Sequence, residues 1–503
     1  MSSNYYITTP IYYVNDVPHI GHAYTTLACD VIARFKRLDG FNVFFLTGTD
    51  EHGQKVELAA KNKGVAPKEF VDEVSQNFRS LLKCMNFSND DFIRTTEKRH
   101  LDSCKKIWKK LLENGSIYLD KYSGWYSVRD EAFYSETEIV DGTAPSGAPV
   151  EWVEEPSYFF NLSKWEDKLL KFYEENNNFI LPNSRRNEVI SFVKGGLKDL
   201  SVSRTSFSWG VKVPNNDDHI MYVWLDALTN YLSACNYSSS ENDALSKFWP
   251  ADIHMVGKDI VRFHAVYWPA FLMAADLPLP KKIFAHGWWT NEGNKISKSL
   301  GNVIDPFELV EKYGVDQIRY FLMREVPFGN DGDFSNSQLI NRINSDLANS
   351  YGNLFQRVIS MIFKNCNEFI PIRPNEFQDE DLKLINSIRN SLQNYRSLMD
   401  EQKFDQFLKN IWLVISDANK YVDNQAPWSL KKNDFQRMEV VLYTLIETIR
   451  QISIMLQPFI PNTSKSILDH IQIPLVQRDI KSVELFIDGG IKISTPKPLF
   501  PRI

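Results

Sequence analysis

Apolar and polar positions near the start of the chain alternate between two patterns. Residues 5–9 and 41–46 are short, mostly apolar runs that predict strands, and between them apolar positions recur at helical spacing over residues 20–38. This strand–helix–strand order predicts a parallel sheet.

The strand pattern returns far along the chain. Residues 253–256 and 283–285 are predicted strands, and a helix-like pattern over residues 259–275 connects them. The same parallel sheet can therefore be completed after a long insertion. Residues 115–220, rich in Trp, Tyr, Ser and turn residues, predict that insertion as a small antiparallel module with helices such as 184–197.

The pattern changes to long amphipathic helices from about residue 345. Residues 379–400, 403–424 and 434–457 are predicted helices, and Pro458 closes the last of them. The predicted fold is α/β: a Rossmann-like parallel-sheet domain split by an insertion and followed by an all-α bundle. The predicted units are residues 1–114 and 221–285 for the two halves of the sheet domain, 115–220 for the insertion, 286–344 for a linking region, and 345–503 for the bundle with a C-terminal tail.

Composition predicts a soluble multidomain chain. Its 503 residues are 43% hydrophobic and 24% charged, and no window approaches the roughly 18 uninterrupted apolar residues of a membrane span. The first residues lack the features of a secretory signal or a transit peptide. We therefore expect a cytoplasmic protein, or a matured organellar form, without membrane contact.

Charge and cysteine content restrict the partners and the compartment. The net charge of −6 argues against bulk nucleic-acid affinity, so the basic run at residues 98–110 is interpreted as a solvated helix face and any RNA contact must be local. The five cysteines form no CxxC pair and predict reduced thiols.

The first chemical motif is His19-Ile20-Gly21-His22, which follows a predicted strand and opens a predicted helix. A helix N-terminus offers free N–H groups, Gly21 permits close approach of a phosphate or an adenine ring, and His19 and His22 can donate hydrogen bonds to phosphate. Two histidines at this spacing also occur in partial metal sites or as surface residues. The motif alone leaves these alternatives open.

The second motif is Lys295-Ile296-Ser297-Lys298-Ser299, between glycines that allow movement. Two lysines separated by small hydroxyl residues can bring mobile positive charge to a triphosphate. Standing alone, such a segment is more often a solvated basic loop.

Together, HIGH at 19–22 and KISKS at 295–299 resemble the paired signatures of class I aminoacyl-tRNA synthetases, with Ile296 in place of the common Met. Five further motifs narrow the resemblance to methionyl-tRNA synthetases over nearly the whole chain: ITTPIYYVND at 7–16, TGTDEHG at 47–53, YVWLDAL at 222–228, VGKDIVRFHAVYWPA at 256–270 and HGWWT at 286–290. The resemblance implies a methionine–tRNA ligase that uses ATP with Mg²⁺, L-methionine and methionine tRNA.

The resemblance also implies roles for individual residues. The catalytic residues would be His19, His22, Lys295 and Lys298. The ATP-binding residues would be His19, Gly21, His22, Gly257, Asp259, Ile296 and Lys298. Asp259 suits ribose hydroxyl groups but can also cap the following helix.

The residues implied to surround methionine are Ile11, Tyr13, Asp50, Trp224, Ala227, Leu228, Tyr231, Ile260, Phe263, His264 and Trp268. A soft thioether suits an aromatic-lined slot. Tyr231 can hydrogen-bond the sulfur weakly, and Asp50 can hold the α-ammonium group. Taken singly, each aromatic would more often be a core residue.

Asn353, Arg357 and Trp428 resemble the anticodon-reading residues of the family. Asn and Arg can read base edges, and an exposed Trp can stack an unpaired base. Without the resemblance, Trp428 beside a proline would be interpreted as a packing residue. Residues 345–503 are therefore the expected anticodon-binding domain, and 286–344 the KISKS loop with a stem-contact region.

The insertion departs from the family pattern. Many members bind zinc through paired cysteines, but residues 127–130 read SVRD, residues 143–146 read TAPS, and no cysteine lies between Cys104 and Cys235. These side chains cannot replace thiolates at structural-zinc affinity. We predict a zinc-free insertion, with no metal ligands, that is held by aromatic packing of Trp125, Tyr126, Phe133 and Tyr134.

Two other interpretations compete with this one. A synthetase for another aliphatic amino acid is disfavoured by the short insertion and by YVWLDAL at 222–228. A non-ligase nucleotidyltransferase, or an inactive RNA-binding relative, leaves the KISKS loop, the bundle or the pocket unexplained. We expect a monomer, because no C-terminal dimerisation extension is recognised.

Overall fold

The computed structural model describes residues 3–14, 17–130, 132–239, 247–295 and 303–503. Its first part alternates strands and helices, and the helix predicted over residues 20–38 has those bounds. The strands are β1 (Asn4–Thr8), β2 (Tyr12–Tyr13), β3 (Asn42–Asp50) and β4 (Asp91–Arg94). The helices are α1 (Ile20–Leu38), α2 (Gln54–Lys63), α3 (Pro67–Cys84) and α4 (Lys98–Glu113).

The inserted section is mainly antiparallel, as its turn-rich sequence predicts. Its strands are β5 (Ile117–Ser127), β6 (Ala132–Tyr134), β7 (Glu151–Phe160), β8 (Ile180–Leu181), β9 (Leu200–Ser201), β10 (Ser203–Arg204), β11 (Lys212–Val213) and β12 (Asn216–Met221). Its helices are α5 (Glu166–Glu175) and α6 (Asn183–Lys194). The long hairpin β5–β7 forms most of one sheet, and β10, β11 and β12 form another.

The second half of the parallel sheet follows. Its strands are β13 (Ile253–Gly257) and β14 (Ile283–His286), and its helices are α7 (Val223–Leu228), α8 (Asn230–Ser233) and α9 (Trp268–Ala274). The helix-like pattern over 259–275 folds as a 3₁₀ turn, a π-type turn at Phe263–Tyr267 and then α9. Pro269 lacks the N–H that a regular α-helix needs at this point, which agrees with the widened turn before it.

All pairings in the main sheet are parallel, in the order β4–β3–β1–β13–β14–β8, with β2 beside the end of β3. Strand β8 belongs to the predicted insertion, so part of that segment returns to the sheet rather than standing apart from it. The strand order reverses between β1 and β13. In open α/β sheets, ligands bind at the carboxyl ends of the strands at such a point.

The linking region joins the sheet to the bundle. Its strands are β15 (Trp289–Asn291), β16 (Asn294–Lys295) and β17 (Gly332–Phe334), and its helices are α10 (Pro306–Tyr313), α11 (Val315–Arg324) and α12 (Asn336–Arg342). Buried Arg319 on α11 donates to Asp30 of α1 and to the carbonyl oxygens of Pro458 and Phe459. Arg319 therefore connects the sheet domain, through a buried ion pair, with the bundle, through hydrogen bonds to backbone carbonyls.

The bundle is helical, as predicted, and combines long helices with short ones. They are α13 (Asn353–Asn365), α14 (Asp379–Arg389), α15 (Leu392–Asp400), α16 (Phe404–Gln425), α17 (Pro427–Asn433), α18 (Phe435–Leu456), α19 (Pro461–His470) and α20 (Ile480–Val483). Helix α18 packs against α13, α14, α16, α17 and α19 and is buried from Val441 to Leu456. The helix predicted over 379–400 is broken at Asn390 and Ser391, residue types that favour turns over helix interiors.

Within the described residues, no helix combines the length and the apolar character that crossing a membrane requires.

Candidate active site

A cavity of about 420 Å³ opens at the carboxyl ends of β1 and β13, where the strand order reverses. We call it the active cavity. The predicted site residues that line it are Ile11, Tyr13, His19, Gly21, His22, Asp50, Trp224, Ala227, Leu228, Tyr231, Gly257, Asp259, Ile260 and His264. Residues implied for ATP and residues implied for methionine are therefore brought to one space.

The two histidines of the HIGH motif are built into the first turn of α1. His19 is the N-cap and its Nδ1 accepts from the Gly21 N–H at 3.1 Å, while His22 Nδ1 accepts from the His19 N–H at 3.1 Å. Because both Nδ1 atoms are acceptors, each neutral ring carries its proton on Nε2. A side chain on Gly21 would meet His19, since a Cβ there would lie 2.9 Å from His19 Cε1.

Burial sets the charge of these rings. Desolvation lowers the pKa of His19, and it lowers the pKa of His22 well below the ordinary value, with the neighbouring His19 adding to the effect. Both rings are therefore neutral at pH 7. They can offer Nε2–H groups to an anion without carrying a charge themselves.

The turn after β13 holds a carboxylate at the other side of the active cavity. Asp259 Oδ1 accepts from the indole N–H of Trp288 at 3.2 Å. A Cβ on Gly257 would lie 2.5 Å from the same oxygen, so only glycine permits this approach. The residue at the cap position of the turn is Gly257, which does not support the alternative role of Asp259 as an N-cap.

A Tyr–His pair lines the side of the active cavity where the residues predicted for methionine lie. His264 Nδ1 lies 3.0 Å from the Ile260 carbonyl, to which it must donate, and burial lowers the pKa of His264 to about 4. Its Nε2 therefore accepts from the Tyr231 hydroxyl at 2.8 Å. The one proton of Tyr231 is engaged in this bond, so in this arrangement the hydroxyl offers only its lone pairs. The weak hydrogen bond between Tyr231 and a substrate sulfur stays a prediction.

Phe263 and Trp268 were expected in the methionine pocket but do not line the active cavity. Phe263 stacks flat on Trp224, with ring centroids 3.7 Å apart and planes at 7°. Trp268 is fully buried behind Tyr231, with centroids 6.1 Å apart. Phe263 therefore supports the lining residue Trp224, and Trp268 supports the lining residue Tyr231.

The active cavity also contains residues that the sequence did not single out. They are Pro10, Tyr12, Thr25, Lys55, Asp130, Val223, Asn230, His286 and Trp288. Most lie within or beside the quoted motifs, and His286, in HGWWT, bonds Thr25 at 2.8 Å. Asp130 comes from the insertion, and nothing in the local sequence indicated that it reaches this space.

The KISKS segment is described only at its start. The backbone of Lys295 lies in β16, paired with Thr290 of β15. Ile296 and Lys298 lie outside the described residues.

The anticodon candidates share one exposed face of the bundle. Asn353 is exposed, Arg357 follows one turn later on α13, and Trp428 on α17 is 49% exposed. The Arg357 guanidinium lies 5.8 Å from the Trp428 ring and donates to Asp423 at 2.7 Å. The exposure of Trp428 argues against a simple packing role.

A hydrogen-bonded cluster lies where the family resemblance places the cysteine pairs of the insertion, at residues 127–130 and 143–146. Asp130 accepts from the hydroxyls of Tyr134 and Ser146, and Arg129 donates to the Ser146 carbonyl at 2.7 Å. Aromatic packing contributes too, since Trp125 packs edge-on against Trp152 with ring centroids 5.3 Å apart. The sequence predicted aromatic packing alone, and it did not predict that hydrogen bonds would also hold the insertion together.

A parallel sheet split by an insertion, with HIGH opening a helix at the point where the strand order reverses, defines a class I aminoacyl-tRNA synthetase. The sequence model described as tRNA synthetases class I (M) matches residues 5–151 and 145–359. The model described as the anticodon binding domain of methionyl tRNA ligase matches residues 372–503.

Comparison with known proteins indicates the same family over nearly the full length of the chain. A methionine–tRNA ligase of Rickettsia felis is 58% identical over 100% of this chain and 99% of its own, and one of Brucella suis is 52% identical over 99% and 98%. The solved structure of Mycobacterium tuberculosis methionyl-tRNA synthetase with methionyl-adenylate is 49% identical, with a TM-score of 0.97 over 99% of this chain and 100% of that one. Its free form gives 0.91 at 46% identity, over 100% of this chain and 99% of that one. The chain belongs to the methionyl-tRNA synthetase family, which confirms the predicted fold class and resemblance.

Proposed function

We propose that the chain is a methionine–tRNA ligase that converts L-methionine and ATP to methionyl-adenylate and then transfers the methionyl group to methionine tRNA. The observation that carries this proposal is the active cavity, which joins neutral N–H donors on α1 to an aromatic and apolar pocket beside Asp50. Family membership supports it.

Methionine occupies the side of the active cavity formed by α7, α8 and the segment before α9. Its thioether lies against Trp224, Ala227, Leu228 and Ile260, where burial of apolar surface stabilises an uncharged side chain. Asp50, buried at the end of β3, holds the α-ammonium group by a charge-assisted hydrogen bond. Ile11, Tyr13, Tyr231 and His264 complete the wall, and Phe263 and Trp268 support it from behind.

ATP lies across the start of α1 and the end of β13. Gly21, Gly257 and Asp259 receive the nucleoside, and the family resemblance assigns Ile296 to the same ligand. His19 and His22 donate Nε2–H to phosphate oxygens, while Lys295 and Lys298 add positive charge. Magnesium enters as part of the MgATP substrate, because Mg²⁺ is held largely by phosphate oxygens and water.

The reaction needs no protein nucleophile. A methionine carboxylate oxygen attacks the α-phosphorus in line, the bond to the bridging oxygen breaks, and pyrophosphate leaves. A hydroxyl of the terminal adenosine of tRNA then attacks the carbonyl carbon of the adenylate, and AMP leaves. The chain contributes position and hydrogen bonds aimed at the charge that develops.

The insertion works without structural zinc. The side chains at the former cysteine positions are hydroxyls and one carboxylate, and that carboxylate already accepts from Tyr134 and Ser146. The Arg129 guanidinium lies in the same cluster, at 2.7 Å from the Ser146 carbonyl, where its charge opposes a divalent cation. This donor set does not fit zinc, which prefers thiolate and imidazole ligands.

The bundle reads the tRNA anticodon. Trp428 stacks an unpaired base, and Arg357 and Asn353 bond base edges or phosphates next to it. The chain acts in the cytoplasm, because in the described part of the chain all five cysteines are free thiols, as in a reducing compartment. Its proposed oligomeric state is the monomer expected from the sequence. Light scattering that gave twice the chain mass would contradict the monomer.

The test is amino-acid-dependent ATP–pyrophosphate exchange on chelator-treated protein whose zinc content has been measured. We expect exchange with methionine, at full rate and without bound zinc, followed by charging of methionine tRNA. Exchange with another amino acid would overturn the substrate. Exchange that returned only with added zinc would overturn the metal-free insertion.

A further inference from the structure

A buried polar cluster lies directly behind the methionine side of the active cavity. Asp226 is fully buried, and its two carboxylate oxygens each accept one short hydrogen bond: Oδ2 from His52 Nδ1 and Oδ1 from His100 Nε2, both at 2.7 Å. We call His52, Asp226 and His100 the clamp. None of the three lines the active cavity.

The clamp joins three elements that meet only in the folded chain. Asp226 belongs to α7, His52 follows β3 by two residues, and His100 lies in α4. On α7, Trp224, Ala227 and Leu228 line the active cavity, and Asp226 is turned about 200° from Trp224 around the helix axis. The clamp therefore holds α7 from the face opposite its substrate wall.

The other end of the clamp is next to Asp50. His52 is two residues from Asp50, and Trp209 packs edge-on against His52 with ring centroids 5.6 Å apart. Between them, Glu51 is buried and accepts from Arg94 at 2.6 Å and from Thr96 at 2.6 Å. The backbone that presents Asp50 is thus fixed on both sides.

The cluster does not have the geometry of a metal site, although ligand atoms of His100, Cys104 and Asp226 lie within 4.8 Å of one another. Two ligands of one tetrahedral ion stand about 3.3 Å apart, given metal–ligand bonds of about 2.0 Å. His100 Nε2 and Asp226 Oδ1 are 2.7 Å apart, which is a direct hydrogen bond. Burial raises the pKa of Asp226, but the hydrogen bonds and charges of His52 and His100 outweigh it, so the carboxylate stays ionised.

We propose that His52, Asp226 and His100 are positioning residues for methionine: they fix the distance between Asp50, which holds the α-ammonium group, and the α7 wall, which holds the thioether. This inference rests on the proposed methionine site. A ligand held at both ends is sensitive to the spacing of the two holding groups. Loosening the clamp therefore weakens methionine binding and leaves ATP binding, on α1 and β13, unchanged.

The first test is Asp226→Asn, which keeps the volume but presents an N–H to one of the two histidines. We expect the KM for methionine in pyrophosphate exchange to rise about tenfold or more, with the KM for ATP within about twofold. The matched control is Glu447→Gln in α18, another fully buried carboxylate, held by Arg389 and Arg450. It should lower the melting temperature and leave the methionine KM unchanged.

A second test uses paired amides, which stay informative if Asp226→Asn does not fold. His52 bonds through Nδ1, whose position an Asn amide nitrogen reproduces, and His100 bonds through Nε2, whose position a Gln amide nitrogen reproduces. We expect His52→Asn and His100→Gln to keep methionine affinity, and His52→Gln and His100→Asn to lose it about tenfold. Methionine binding, followed by the fluorescence of the Trp-lined cavity, gives a readout independent of catalysis.

The outcomes separate the two proposals. If the unaltered chain neither binds methionine nor exchanges with it, the proposed function fails. If it does both and the members of each amide pair behave alike, or if the methionine and ATP KM values rise together, the clamp is only structural and the inference is overturned.

Discussion

The active cavity and the exposed face of the bundle that carries Asn353, Arg357 and Trp428 are both proposed to bind anions, but they present different kinds of hydrogen-bond donor. His19 and His22 are half-buried, and desolvation lowers the pKa of both, so they are neutral N–H donors to the phosphate of the proposed function. Arg357 lies at the surface, paired with Asp423 and close to the exposed Trp428. A site that removes its groups from water must limit the charge that it desolvates, whereas a cation at the surface stays hydrated and can remain charged.

The largest effect should come from removing a neutral donor while keeping the helix cap. His19→Asn retains an oxygen that can accept from Gly21 N–H but loses the Nε2–H group. We expect the exchange rate to fall about 100-fold or more, as for other donors that meet developing charge, with little change in melting temperature. His19→Gln, which keeps a donor but loses the cap, should show the reverse: a lower melting temperature with more activity retained. Equal exchange rates for His19→Asn and the unaltered chain would show that the Nε2–H group of His19 is not a catalytic donor, and would contradict the contrast between the two regions.

The second effect is on stability in acid. Burial lowers the pKa of His264 from its ordinary value of about 6.5 to about 4, so the unfolded chain binds the proton first as the pH falls. Stability is full above pH 6.5 and declines toward pH 4, by about 3 kcal/mol for this group at 1.36 kcal/mol per pH unit. Urea unfolding between pH 4 and 7 measures it. The decline should be smaller in His264→Gln and unaltered in His470→Gln, which changes the one histidine between residues 345 and 503. A profile independent of pH would contradict the neutral, buried histidines.

The third effect is confined to the bundle. Trp428→Ala removes a stacking surface worth about 1–3 kcal/mol per base, so kcat/KM for charging should fall about 10- to 100-fold. Pyrophosphate exchange should not change, because the active cavity is unaltered. Val476→Ala, which truncates another exposed apolar residue in this part of the chain, is the control. A parallel loss of exchange would show that the two regions are not independent.

The smallest effect is on the salt response. Contacts to single-stranded phosphates release counterions, so raising salt from 50 to 200 mM should increase the KM for tRNA about 2.5-fold for each such contact. The KM for methionine should stay constant, since Asp50, the charged group proposed to hold it, is buried. Measuring both constants over one salt series sharpens the comparison. Equal slopes would mean that the cavity is more open to solvent than its burial indicates.

Much of the fold was predictable from the sequence, because local patterns of apolar and polar residues indicate the helices and strands. Helix α1 has the predicted bounds, and the long helices of the bundle lie near theirs. The exceptions have local causes that periodicity does not express: Asn390 and Ser391 break one helix, and Pro269 accompanies a π-type turn. The pairing of β8 with β14 depends on contacts between distant segments, and no local pattern indicated it.

The candidate site was predictable where motifs named residue types. Most of the methionine and ATP candidates line one cavity, but Phe263 and Trp268 do not, because periodicity and resemblance do not distinguish a lining residue from the one behind it. The cluster of Asp130, Tyr134 and Ser146 was missed for a similar reason. Its members are distant in sequence, and their polar side chains resemble those of any exposed turn.

The sequence by itself determined the family, the order of strands and helices, and the residue types needed for phosphates and a thioether, since these are written in short motifs and hydrophobic periods. Only the tertiary structure decided the protonation of His19 and His22, the direction of the Tyr231 hydroxyl and the joining of His52, Asp226 and His100. Burial and hydrogen-bond geometry set those properties, and both arise only when distant parts of the chain pack together.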